Sequence, residues 1–202
     1  LAITQRGSVA APYIVLATGF PILNFPGRSF LKLRQRRMDA LLLTDVKPFE
    51  GMYIDASGRF ALYPFEGDAV FRQLGGWVGG KDEESPVERF QKQYRRQMEF
   101  SDAEPLCGGF ETFSTDGVPL IGSLSAKTPH LFVASGFGGY GLVNSIVAAQ
   151  TISAEILGVG KSRSAYCSPT RFSSLSLIAP LGRQLVRYAS GVSRHHAPRC
   201  PH

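Results

Sequence analysis

The chain has 202 residues, enough for one ordinary domain with a real core or for two small interleaved ones. A composition of 44% apolar and 19% charged residues is that of a globular protein and excludes a disordered one, and no run approaches the ~20 apolar residues of a membrane span. The net charge of +6 is unevenly placed: residues 161–202 hold seven Lys and Arg with no Asp or Glu, leaving residues 1–160 at −1, a basic tail on a neutral body and not a nucleic-acid surface.

Residues 1–11 lack the charged, apolar, then small layout of a secretion signal and predict a polar hairpin around Gly7. PYIVLAT, residues 12–18, predicts a buried strand of the parallel type. A buried strand so near residue 1 reads as a chain that starts mid-domain. PILNFPG, residues 21–27, is loop, and residues 29–43 read as extended chain ending in ALLL. Turn signals at Lys47-Pro48, Glu50-Gly51, Ser57-Gly58 and Glu66-Gly67 then separate MYIDA, RFALYPF and AVFRQLGGW, which predicts an antiparallel sheet of hairpins. Residues 86–100 predict an amphipathic helix opened by Pro86, with Val87, Phe90, Tyr94 and Met98 on one stripe.

Residues 108–122, GGFETFSTDGVPLIG, are turn-rich and predict one short strand. HLFVASG predicts an apolar strand, and LVNSIVAAQTISAEILG a helix stopped by Gly158. Beyond it the chain is rich in Ser, Pro and Arg, and Pro169 and Pro180 break any long helix. The three scattered cysteines, Cys107, Cys167 and Cys200, point to a reducing compartment such as the cytoplasm, with an organelle lumen left open. His195, His196, Cys200 and His202 in the tail lack the spacing of a zinc site.

Gly136-Phe137-Gly138-Gly139-Tyr140-Gly141 spells G-x-G-x-x-G between a predicted strand and a predicted helix. Glycines there permit positive φ and close backbone approach, and the helix start offers unsatisfied N–H groups with partial positive charge. A dinucleotide fingerprint also needs a second strand after the helix, opening on an acidic residue. Here Glu155 lies inside the helix and no strand follows Gly158. That argues against an NAD-type dehydrogenase and leaves two readings: a ligand-facing helix start, or a tight structural turn.

STDGVPLIG followed by HLFVASGFGGYGLVNSIVAAQTISAEILG resembles the closing segment of the D-amino-acid oxidase-like flavoprotein family, which includes glycine and sarcosine oxidases. Asp116, Gly117, Pro119, Ile121 and Gly122 match its D-G-x-P-x-I-G loop, and Gly136, Gly138, Gly139, Tyr140, Gly141 and Leu142 its glycine turn. At the front, YIVLATGFPILNFPG resembles the strand by which the family's FAD domain exits into its substrate domain. The same stretch, with Ser168-Pro169-Thr170-Arg171-Phe172, is similar to a branch of bacterial-type FAD oxidoreductases that can carry a Rieske domain.

The resemblance implies a mixed α/β fold of α+β character: a partial FAD-binding Rossmann-like domain with an inserted antiparallel-sheet substrate domain. Residues 1–26 would be the last strands of the FAD domain, 27–105 the substrate-type domain with one helix, 106–160 the returning FAD-domain segment, and 161–202 a basic tail. The N-terminal unit that holds the ADP of FAD in relatives has no counterpart in these residues. The implied cofactor is FAD. Thr18 and Gly19 match the strand end beside it. Gly136, Phe137, Gly138, Gly139, Tyr140, Gly141 and Leu142 match the turn at the flavin ring. Val143 stands where D-amino-acid oxidases often have Thr. In amino-acid oxidases an Arg before the D-G loop pairs with the substrate carboxylate. Glu111 aligns there, so either another base such as Arg59, Lys32 or Arg34 takes that role, or the substrate is a cationic amine. Glu111 is thus either a contact for a substrate amine or a structural residue. Cys107 lies two positions from where some relatives attach flavin covalently and reads as a plain packing or surface residue. The implied activity is oxidation of the C–N bond of an amine or amino acid by hydride transfer to flavin; the rival reading is a truncated, non-catalytic homologue acting in binding or assembly.

Overall fold

The computed structural model describes residues 1–20, 22–23, 28–80, 85–159 and 165–172. The loop expected at 21–27 lies largely outside these residues, as does most of the tail. The chain forms two compact units, one of residues 1–34 with the described residues from 112 onward, the other of residues 35–111.

In the first unit, strands β1 (Ala2–Thr4) and β2 (Gly7–Val9) form the expected hairpin around Gly7, whose φ is 134°. Strand β3 (Ile14–Gly19) lies parallel to β10 (Leu131–Ser135), and β10 pairs antiparallel with β9 (Leu120–Ser123), giving the order β3-β10-β9. Period-two alternation splits the sheet's side chains between two clusters. Leu16, Leu120 and Val133 pack with Leu33 and Leu124 on one face. Ile121, Phe132 and Ala134 meet Ala148 and Ile152 of helix α3 (Gly141–Leu157) on the other. Helix α3 ends on Gly158, left-handed at φ 64°, where the sequence places its stop. Strand β3 is parallel, as expected, but not buried. It is an edge strand, and Val15 is 45% exposed while Leu16 is 7% exposed.

In the second unit, β5 (Tyr53–Ile54), β6 (Phe60–Phe65), β7 (Asp68–Trp77), β4 (Leu33–Leu43) and β8 (Ala103–Ser114) make a five-stranded sheet in that order. The β5–β6, β6–β7 and β4–β7 pairs are antiparallel, so the expected sheet of hairpins is present. Glu66 and Gly67, at φ 50° and 95°, turn β6 into β7 with the mirror-image geometry that matches strand twist. Helix α2 (Pro86–Tyr94) covers one sheet face. Its Phe90 packs with Leu41, Leu43, Ala69 and Phe71, while Val87, Tyr94 and Met98 flank them as the stripe requires. Ser85 and Glu88 form a reciprocal capping box. The buried carboxylate of Asp39 takes hydrogen bonds from Arg89 of α2 and from Arg37, each at 2.9 Å.

Three elements differ from expectation. Ser29–Lys32 is a helical turn, α1, not extended chain; Arg28 before it is left-handed at φ 53°, and the Leu31 amide donates to the Arg28 carbonyl at 3.0 Å. Helix α2 ends at Tyr94 and passes through a short 3-10 turn, Arg95–Gln97, before the chain extends and brings Phe100 back to 5.2 Å from Phe90. Residues 103–114 are one twelve-residue strand in place of the short strand expected within 108–122. Pro105, Gly108 and Gly109 read as turn residues, yet β8 is a sheet edge, where a missing amide and missing side chains are tolerated.

Candidate functional site

The glycine turn joins the carboxyl end of β10 to the start of α3. Gly136, Gly138 and Gly139 have φ of 74°, 60° and 92°. A Cβ at Gly136 would lie 3.0 Å from the Leu33 side chain and 3.3 Å from the Ser114 amide, and one at Gly138 would lie 3.2 Å from the Phe113 ring. Both glycines therefore serve close packing as well as backbone conformation. The Gly138 amide donates to the Thr112 carbonyl at 2.9 Å, and Phe113 bridges Phe137, so the turn is stitched to the end of β8. Asn144 of α3 donates its side-chain amide to the Phe137 carbonyl at 3.1 Å, holding the turn from the helix side.

Helix α3 begins without a side-chain cap: Tyr140 at the N-cap accepts nothing through its side chain, and the first turn carries no acid. A Cβ at Gly141 would meet nothing within 4 Å. Tyr140, Val143 and Ile146 are exposed, and Leu142 is 87% exposed. The amides of the first helical turn thus open onto space, ringed by apolar side chains, with the positive end of a seventeen-residue helix behind them.

Thr18 and Gly19 come to the same place. Gly19 pairs in register with Ser135, whose hydroxyl donates to the Gly19 carbonyl. Gly19 is left-handed at φ 76°, and Thr18 uses its hydroxyl locally, donating to the Phe20 carbonyl at 2.9 Å. The carboxyl ends of two parallel strands and the start of a helix therefore converge, the position at which open α/β sheets bind ligands.

Glu111 and Arg59 belong to the second unit. Glu111 is ion-paired with Arg72 of β7. Arg59 is exposed and lies near enough to Tyr94 for its charge to act on that phenol. Burial, reinforced by the charge of Asp55 and opposed by that of Arg59, raises the Tyr94 hydroxyl above its ordinary range. The Tyr94 ring packs on Phe60 and Phe71, whereas Arg72, next after Phe71 in the strand, points to the other face. Glu111 and Arg59 are not brought together. Lys32, in the first unit, turns to the segment after α3, donating to the Pro169 carbonyl at 2.7 Å. Burial, with the charges of Arg171 and Arg28, pushes its ammonium below the ordinary lysine range.

No protein-family model and no curated protein matches this sequence. Solved structures do match in fold. The fold is shared with glycine oxidase. Glycine oxidase from Geobacillus kaustophilus superposes with a TM-score of 0.64 at 18% identity, over 85% of this chain and 49% of that one. L-proline dehydrogenase from P. horikoshii gives 0.62 at 16% identity, over 84% and 49%. The L-amino acid deaminase of Proteus vulgaris gives 0.57 at 16%, over 84% and 45%. The chain spans about half the length of each, and it shares the fold of D-amino-acid oxidase-like proteins that its glycine turn and D-G loop resemble.

Residues that the sequence reading did not single out also bear on the site. Asn144 is one of the few polar residues early in an apolar helix, and Arg72 is the only charge between Asp68 and Lys81. Those contrasts were the available signals. Arg171, counted with the basic tail, is bound to the D-G loop through Asp116.

Proposed function

We propose that this chain is the flavin-ring and substrate portion of an FAD-dependent oxidoreductase that oxidises the C–N bond of an amine or amino acid. The partial FAD-domain and inserted substrate-sheet organisation belongs to the same proposal. The uncapped start of α3, set at the carboxyl ends of β3 and β10 and left clear by Gly141, carries the reading. The donor set fits the electron-rich edge of a flavin: peptide N–H groups and a helix dipole, with no carboxylate in the first turn to compete.

FAD, when bound, supplies the hydride acceptor. The amides of the first α3 turn stabilise negative charge arriving at the ring, and need no reorganisation because Thr112, Phe113 and Asn144 fix the turn.

A flavin titration tests this. Purified chain, alone and as its full gene product, is titrated with FAD, FMN and riboflavin while flavin fluorescence is followed. Saturable quenching is expected, and Gly141→Val, which fills the open space, weakens it at least about tenfold while the fold is retained. Anaerobic addition of amines and amino acids to the loaded protein then bleaches the flavin absorbance. Absence of flavin binding in both forms would leave the non-catalytic reading in its place.

A further inference from the structure

Lys32 closes α1 with its ammonium inside the first unit. The residue is 7% exposed, and Nζ donates to the Pro169 carbonyl at 2.7 Å. An ammonium has three hydrogens. That bond uses one, and no other described residue accepts from the remaining two. The acceptor is neutral, so the charge itself is uncompensated, which is costly away from water. The carboxylate bound to this segment, Asp116, is already gripped by Arg171. Arg28 and Arg171 both lie close enough for their positive charges to act on Lys32. Arg28 is exposed, and its guanidinium pairs with no described carboxylate.

The same turn carries a second unmet group. Ser29 stands three residues before Lys32, so the two side chains share a face of one helical turn. Ser29 is 1% exposed, and its Oγ has no hydrogen-bond partner among the described residues. Thr115, whose amide donates to the Lys32 carbonyl at 2.9 Å, likewise keeps its Oγ1 buried without a partner. Buried polar groups left unmet in a native fold mark a place for water or an ion. Water would satisfy the hydroxyls and leave the surplus charge where it is. An anion answers both.

We propose that Lys32 and Ser29 hold a small monovalent anion of the chloride class. The ammonium supplies the opposite charge, the Ser29 hydroxyl an O–H donor, and Arg28 an attractive field from the solvent side. One negative charge matches one buried ammonium. A doubly charged oxyanion would have to give up a far more strongly held hydration shell to reach so buried a residue. The anion joins α1 to the Ser168–Phe172 segment, within one unit, and strengthens a junction that otherwise carries a bare charge. The inference does not rest on the oxidoreductase reading.

The test melts the full chain in sodium chloride against sodium gluconate at equal ionic strength, gluconate being a monovalent anion too bulky for the place. The melting temperature of the parent is expected to rise saturably with chloride. Lys32→Met, which removes the charge and keeps the bulk, should be indifferent to the exchange. Anion sites elsewhere, the basic tail and the start of α3 included, are common to both proteins and cancel in the comparison. Ser29→Ala should move the chloride midpoint to a concentration at least about threefold higher. Arg28→Asn, which tolerates the left-handed φ of 53°, should move it in the same direction. Parent crystals soaked in bromide should show anomalous density beside the Lys32 Nζ, a readout that stands even if a variant fails to fold. Absence of that density overturns the proposal. So does an equal chloride response in parent and folded Lys32→Met, which would make any bromide beside Nζ an adventitious ion only.

Discussion

Arg171 grips Asp116 side-on, Nε to Oδ2 and Nη2 to Oδ1, each at 2.8 Å. Its remaining guanidinium hydrogens go to the carbonyls of Val118 at 2.6 Å and of Pro119 and Ser168 at 3.0 Å. Five donors meet five acceptors, and the segment after α3 is thereby fastened to the loop before β9. The Cys167 carbonyl accepts from the Ile121 amide at 2.8 Å, so the same segment also covers the outer edge of β9.

Arg171→Ala should lower stability by about 1–3 kcal/mol, measured by urea unfolding, and Arg171→Lys should recover little of it because an ammonium cannot reproduce the fork. Burial raises the Asp116 carboxyl, but hydrogen bonds from Arg171 and the Val118 amide and the Arg171 charge outweigh it and hold the group below its ordinary 3.8. A depressed carboxylate contributes stability that is fully present above the unfolded-state value and lost as pH falls through the folded one. The gap between parent and Asp116→Asn should therefore be constant near neutrality and close below about pH 4.

Lys32 presents the opposite sign. Its folded-state pKa lies below the ordinary 10.5, so the unfolded chain holds the proton more tightly and the buried charge costs stability at neutral pH. Lys32→Met is expected to melt at or above the parent temperature at pH 7, despite losing the bond to Pro169. The difference should narrow as pH climbs towards 10.5, when the parent sheds the charge. A parent that loses stability relative to the variant over that climb would refute this.

Two glycines of the same motif should respond in opposite ways. Gly136→Ala forces a side chain into φ 74° and against Leu33 and the Ser114 amide, at a cost of about 2–4 kcal/mol. Gly141→Ala sits in open space at the first helical position and should be neutral or stabilise by up to about 1 kcal/mol. Thermal melts of the two variants separate these outcomes.

Asn144→Leu removes the bond to the Phe137 carbonyl and leaves that oxygen with the Tyr140 amide as its remaining partner. A loss of about 1 kcal/mol is expected. Flavin quenching should fall by more than the melt predicts, because the turn loses its hold on the helix start. Equal flavin affinity in the variant would show that Asn144 is purely structural.

Much of the fold was legible because period and punctuation agreed. The β6–β7 hairpin, the stripe of α2 and the stop at Gly158 each follow from side-chain spacing or from a single conformational demand. The errors share another cause, tertiary placement overriding local signals. Gly108, Gly109 and Pro105 look like loop but lie in an edge strand, Val15 looks buried but lies on one, and Arg171 reads as part of a basic tail but meets Asp116 from 55 positions away. The glycine turn was readable as a turn. Its stitching to Thr112 and Phe113, and the pairing of Glu111 with Arg72, are contacts between distant residues that no local window contains.

The amide of Thr115 donates to the carbonyl of Lys32 at 2.9 Å, and the strands that leave and re-enter there, β4 and β8, are immediate neighbours in one sheet. The two ends of the stretch 35–111 therefore meet. A stretch with joined ends behaves as a cassette: it can be lengthened, trimmed or swapped for another without disturbing what lies on the far side of the joint. The surface of that cassette is free to diversify while the helix start beside Gly136 stays as it is.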